Sequence, residues 1–273
     1  NKIMRTRNKN SYISDFFETP NIQNSYWAGF IAGDGHITPD RKKISVKLKR
    51  TDRCHLETFA RHVGVGRLYD YERRDSRTNR IYYSSEILIT NVKLVEDLIK
   101  NWNLEHSQKT YNLQPPQGLS DDLSWAYIAG LLDADGSYAV KHSRPSLNML
   151  ATLPVLEWML DKTEELVGRR AAIRYRGGGQ SEAEYHGNQA IEIRKRIHSL
   201  DVDFLGRKYD DWERKGASLH VTGPRHGTRN MYEVHKCRCQ ECSVFYSSFT
   251  KAQYEKRKAK KKADGICLLY TSD

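Results

Sequence analysis

Two stretches of this chain are versions of one phrase. Trp27-Ala28-Gly29-Phe30-Ile31-Ala32-Gly33-Asp34-Gly35 and Ile128-Ala129-Gly130-Leu131-Leu132-Asp133-Ala134-Asp135-Gly136 are both apolar, rich in small residues and closed by Asp-Gly. A tyrosine stands just before each (Tyr26, Tyr127), and the closing aspartates are 101 positions apart. Such a duplication restricts the chain to folds made of two similar halves. Each half then places one carboxylate, Asp34 or Asp135, at the same structural position. Asp133 has no acidic counterpart, because its equivalent is Ala32. It is the weaker catalytic candidate and reads as structural.

The rest of the chain divides around the two phrases. Residues 1–20 form a polar, basic lead-in, residues 21–118 a first half and residues 119–222 a second. The Pro/Gly segment Gln114-Pro115-Pro116-Gln117-Gly118 marks the boundary between the halves. Residues 223–262 form a Cys-rich basic appendage. Residues 263–273 read as a non-native tail, since their last seven resemble translated sequencing-adaptor read-through. Leu56–Gly64 and Leu160–Gly168 have the same length, helical spacing and terminal Gly. Lys43–Lys49 alternates as a half-exposed strand with a basic face, Ile81–Thr90 reads as another strand, and Val92–Trp102 reads as a helix. In the second half, Arg176–Gln180 reads as a hairpin tip and Ala190–Ile197 as a strand. The order helix, strands, helix, strands, helix predicts an α+β fold with antiparallel sheets.

Small residues recur four apart at Ala28/Ala32, Gly29/Gly33, Ala126/Gly130 and Gly130/Ala134. On a helix this makes a smooth stripe along which a second backbone can approach. If the two phrases pack together, Asp34 and Asp135 meet at adjacent helix C-termini, with Gly35 and Gly136 suited to reversing the chain. Two carboxylates repel each other and the negative dipole ends, which favours a cation between them. Hard oxygen ligands suit Mg²⁺, or Mn²⁺, and a metal beside a phosphodiester can polarise it and activate water. The chain carries 45 Lys+Arg against 34 Asp+Glu, a net charge of +11, which favours a polyanionic partner. No apolar run is long enough to span a bilayer and no signal-peptide pattern is present, so membrane partners are disfavoured. The cysteine usage fits a reduced, intracellular setting.

The repeated phrase resembles the LAGLIDADG motif, from which Ile128–Gly136 departs only at Ile128 and Leu132. Two copies about a hundred residues apart resemble the monomeric LAGLIDADG homing endonucleases, over roughly residues 21–215. The resemblance implies two pseudo-twofold-related αββαββα half-domains that form a DNA-binding saddle, with the motif helices at their interface. It implies a monomer that cuts both strands of a double-stranded DNA target and leaves short 3′ overhangs, in the cytoplasm or nucleoid of a bacterial or phage-infected cell. The metal-binding, catalytic role carries to Asp34 and Asp135, with Gly33 and Ala134 beside them in the metal site. Leu94-Val95-Glu96-Asp97-Leu98 followed by Lys109-Thr110 is similar to the family's end-of-domain pattern. That makes Lys109 the candidate pocket lysine, with Lys208 a weaker counterpart in the second half. A non-cleaving nucleic-acid-binding module on the same fold, an intron maturase or a regulator, is the alternative. Retention of both acids favours the enzyme.

DNA recognition is expected from polar strand faces in major grooves. The candidates are Ser45, Lys47, Lys49, Arg73, Arg74, Arg77, Arg80, Tyr82, Arg174, Arg176, Gln180, Arg194 and Arg196. In the appendage, Cys237, Cys239 and Cys242 with His226 form a candidate zinc set, His235 competing for the fourth place. Lys251–Lys262 reads as a basic helix on phosphates or a frayed tail.

Overall fold

The structure, a computed structural model, describes residues 15–64, 66–105, 112–141, 144–208, 229–233, 236 and 238–268. The chain forms two compact units, residues 1–219 and 220–273.

In the first unit the N-terminal half runs α1 (Ile22–Asp34), β1 (Gly35–Ile37), β2 (Lys43–Lys49), α2 (Arg53–Val63), β3 (Arg67–Arg74), β4 (Ile81–Thr90) and α3 (Val92–Trp102). The second half repeats it as α4 (Asp121–Ala134), β5 (Ser137–Lys141), β6 (Arg144–Thr152), α5 (Leu153–Val167), β7 (Ile173–Gly177), β8 (Gln180–His186) and α6 (Asn188–His198). Each half holds a four-stranded antiparallel sheet, ordered β1-β2-β4-β3 and β5-β6-β8-β7. This is the expected α+β plan, and the two sheets have the same strand order.

Local chemistry sets the boundaries. Asn21 caps α1 by accepting from the Asn24 N–H at 2.9 Å, while the Asn24 side chain accepts from the Asn21 N–H. Helices α2 and α5 stop where Gly64 and Gly168 turn left-handed, both at φ 67°. On β2, Ile44, Val46 and Leu48 point into the core, whereas Lys43, Lys47 and Lys49 are exposed on the other face.

Residues 190–197 are helical, correcting the strand reading. Their buried positions are Ala190, Ile193, Arg194 and Ile197, a three-and-four spacing that only a helix turns to one side.

Helices α1 and α4 pack on each other at the centre of the unit and are buried on nearly every side. A Cβ at Gly29 would lie 2.0 Å from the Tyr127 carbonyl oxygen, and one at Gly130 would lie 1.9 Å from that of Tyr26. The contact is reciprocal, as a twofold arrangement requires. One continuous core spans both halves, from Phe59 and Trp102 to Met159 and Ile193.

Gly35 and Gly136 do not reverse the chain through a left-handed conformation, since neither has positive φ. A Cβ at either would sit 2.7 Å from a carbonyl oxygen of its own helix, that of Ile31 or Leu132. Glycine is required there by space.

The second unit contains α7 (Arg229–Glu233) and α8 (Gln240–Leu268). Tyr232 and Tyr246 stack at 4.0 Å, and the Arg238 guanidinium lies 3.8 Å over the Tyr232 ring. The basic run 251–262 falls within α8, the helical alternative for that segment.

Candidate active site and nucleic-acid interface

The two motif helices end side by side. Asp34 is the last residue of α1 and exposed, whereas Asp135 follows α4 directly and is half-buried. The Asp135 Oδ2 atom lies 3.3 Å from where a Gly33 Cβ would be, so its carboxylate leans on the neighbouring motif. Gly33 and Ala134 face each other, with only 2.2 Å between the Ala134 Cβ and the Gly33 Cβ position. One methyl fits there and two do not. A cleft of about 210 Å³ opens at this end, lined by Gly33, His36, Asp135, Thr152 and Gln180 among others.

Lys208, only a weak candidate from sequence, is the lysine that the described residues bring to this end of α4. Its Nζ donates to the carbonyls of Leu132 (2.9 Å), Ala134 (3.0 Å) and Gly136 (2.7 Å). The ammonium thus offsets the negative end of α4. Burial pushes its pKa below the usual lysine value, while Asp133, Asp34 and Asp135 act in the opposite direction. Part of the carboxylate repulsion that called for a cation is therefore met by the chain itself. Lys109 lies outside the described residues. Among those residues, no group of three or more His, Cys, Asp or Glu side chains is placed to hold a metal. The carboxylates brought together at the motif ends are the pair Asp34 and Asp135.

Asp133 is structural in its contacts. It is buried and its Oδ2 accepts from the Tyr26 hydroxyl and the Leu205 N–H, both at 2.8 Å. Burial raises its pKa, and the two hydrogen bonds oppose that shift. Tyr26 also meets His55 Nε2 at 3.2 Å. The segment after α6 is held to the second motif through this aspartate and to the first half through Arg207 on Asp52 (3.1 Å) and Asp203 on His62 (2.6 Å). That return is what delivers Lys208 to the motif ends.

The open faces of the two sheets hold most of the proposed DNA contacts. On the first, Ser45, Lys47 and Lys49 share a face with Arg73 and Tyr82, a rung pair, and Lys47 Nζ stands 4.9 Å over the Tyr71 ring. Arg77 and Arg80 are exposed in the β3–β4 turn. Arg74 is a correction. It is one residue out of phase with Arg73, points to the opposite face, and donates to Asn79 Oδ1 at 3.3 Å. On the second sheet Arg174 and Arg176 are exposed and Gln180 reaches the cleft.

Arg194 and Arg196 are not on a sheet face, because they belong to α6. Arg194 is 3% exposed, with its guanidinium 4.3 Å over the Tyr138 ring. Arg196 pairs with Asp121 (3.1 Å) and Asp122 at the start of α4. In the appendage His226, His235 and Cys237 lie outside the described residues, while Cys239 is exposed and Cys242 buried.

No family model matches the sequence, and no curated protein matches it. The fold is that of the LAGLIDADG homing endonucleases, which are its structural neighbours. I-WcaI, a homing endonuclease bound to its DNA recognition sequence, superposes with a TM-score of 0.52 at 14% identity, over 76% of this chain and 95% of that one. The LAGLIDADG meganuclease I-CpaMI, bound to uncleaved DNA, gives 0.52 at 10% identity over 74% and 91%. A lysine-to-alanine mutant of I-SmaMI gives 0.50 at 12% over 84% and 98%. No helix among the described residues is long and apolar enough to cross a membrane.

Proposed function

We propose that this protein is a site-specific endonuclease that hydrolyses both strands of a double-stranded DNA target and leaves short 3′ overhangs, acting as a monomer inside the cell. The observation that supports the reading is that two copies of one motif, on reciprocally packed helices, each close on an aspartate, Asp34 or Asp135, with Asp135 lining a cleft at that end. The donor set fits a hard divalent cation. Two carboxylates stand at the adjoining ends of the motif helices, and Mg²⁺ or Mn²⁺ takes oxygen ligands of this kind. Asp34 and Asp135 would hold it, with Gly33 and Ala134 at the junction. Bound there, such a cation supplies Lewis-acid polarisation of the scissile phosphate and lowers the pKa of water.

The chain's own residues do the rest. Lys208 sets a positive charge beside the carboxylates, where it can stabilise charge building on the phosphate. Asp133 holds Leu205, three residues earlier, and so fixes the approach of that lysine. Lysines and arginines of the open sheet faces bind phosphates and base edges.

Purified protein presented with a randomised target library in Mg²⁺ tests the proposal. Recovery of one long cleaved sequence supports it, as does loss of double-strand cutting on Asp34→Asn or Asp135→Asn. Tight DNA binding with no cutting in Mg²⁺ or Mn²⁺ would instead place the protein with non-cleaving regulators or maturases.

A further inference from the structure

The centre of the second sheet's open face is a carboxylate closed over by cationic and amide groups. Glu182 lies on β8 between Ser181 and Ala183, which turn into the core, so its side chain belongs to the open face. It is nevertheless only 5% exposed. Arg176 Nη2 donates to it at 2.6 Å, Asn148 Nδ2 at 3.3 Å from β6, and Arg174 stands 4.0 Å away on the facing rung. The ladder between β7 and β8 slips between Tyr175 and Gly177, leaving Arg176 as the residue with no cross-strand partner. A bulge of this kind re-aims a side chain, here onto Glu182. The first sheet is built differently: its open-face carboxylate, Glu86, shares its rung with Lys47 and Tyr69.

We propose that Glu182 is a positioning residue that holds the Arg176 guanidinium ready to read guanine in the half-site under the second sheet. The inference rests on the DNA-endonuclease reading above. The Arg176 side chain is 60% exposed, so it is anchored at one amino group and open at its other donors. A guanidinium has five N–H groups in a planar fork, and guanine O6 and N7 present a matching pair of acceptors in the major groove. An unanchored arginine must surrender rotamer freedom when it binds, whereas one already held by a carboxylate has less to lose. Arg176 in turn keeps the Glu182 carboxyl below its ordinary pKa, so the pair stays ionised at neutral pH. A phosphate-binding arginine would need no such anchor, because phosphate contacts position without specifying.

The test is a binding selection on DNA whose first half-site and centre are fixed and whose second half-site is randomised. The unsubstituted protein, Glu182→Gln, Arg176→Ala and Arg176→Lys are compared, with thermal midpoints as a folding control. The unsubstituted protein is expected to prefer guanine by about tenfold at one or two adjacent positions. All three variants should lose that preference at the same positions and keep the rest of the profile. Arg176→Lys should do so while retaining most of the affinity. A Glu182→Gln profile that keeps the guanine preference, or one weakened uniformly at every position, overturns the assignment alone. If the unsubstituted protein selects no sequence, the endonuclease reading falls and this inference with it.

Discussion

Replacing Tyr26 and Tyr127 by Phe should give opposite results, although the two residues occupy equivalent places in the repeated phrase. The Tyr26 hydroxyl is buried, donates to Asp133 at 2.8 Å and meets His55 Nε2 at 3.2 Å. Removing it leaves a buried carboxylate with one fewer donor, and hydrogen bonds to charged groups contribute about 1.5–3 kcal/mol. The Tyr127 hydroxyl is equally buried, yet it has no hydrogen-bond partner among the described residues. The cause is visible in the repeat: where Tyr26 finds Asp133, the symmetry-related position facing Tyr127 is Ala32. Deleting an unpartnered buried hydroxyl removes a desolvation penalty of about 1–3 kcal/mol. Tyr26→Phe is therefore expected to lose about 2 kcal/mol, and Tyr127→Phe to lose nothing or gain about 1 kcal/mol. At about 2–4 °C per kcal/mol for a unit of this size, the two midpoints should differ by roughly 4–12 °C. Thermal and urea unfolding followed by circular dichroism would measure this. Equal losses in the two variants would refute the reasoning, because they would mean that Asp133 is not what distinguishes the halves.

Three further outcomes are expected. Gly29→Ala or Gly130→Ala forces a methyl to within about 2 Å of a carbonyl oxygen and should lose 3 kcal/mol or more. Gly206→Ala, with nothing within 4 Å of the added methyl, should stay within about 0.5 kcal/mol, and urea midpoints compare them. Burial lowers the folded-state pKa of His55 from 6.5 to about 3, so its contribution to stability is fully present above pH 6.5 and is lost as pH falls toward 3. The loss from this group approaches about 1.4 kcal/mol per pH unit, and a flat stability profile between pH 7 and 5 would contradict it. Lys208→Gln should lower the cleavage rate by about a hundredfold or more while DNA affinity changes little, as rate and binding measured on one target would show.

The elements with one-sided patterns were legible from sequence. The β2 alternation of Ile44, Val46 and Leu48 with lysines, and the glycines that stop α2 and α5, follow from local geometry alone. The position of Asp34 and Asp135 at the ends of two paired helices was legible because the phrase that carries them is repeated. Residues 190–197 misled because Ile191 and Ile193 alternate with charged neighbours, whereas the helix buries Arg194 with its guanidinium over the Tyr138 ring. Arg74 failed by strand parity, which no composition reveals without the register of β3 on β4. Lys208 depends on a chain return tied down by Asp133, Asp52 and His62, contacts separated by 72 to 155 positions. One signal pointed toward it: Asp133, an unrepeated acid in a repeated motif, needed a partner from elsewhere in the chain.

The most direct test of the central claim is cutting of a supercoiled plasmid carrying the selected target, with and without Mg²⁺, by the unsubstituted protein, Asp34→Asn and Asp135→Asn. The unsubstituted protein should linearise the plasmid only with the metal. Each variant should bind the target yet linearise it at least about a hundredfold more slowly. Linearisation by either variant at the unsubstituted rate would contradict the assignment of Asp34 and Asp135 as the catalytic pair.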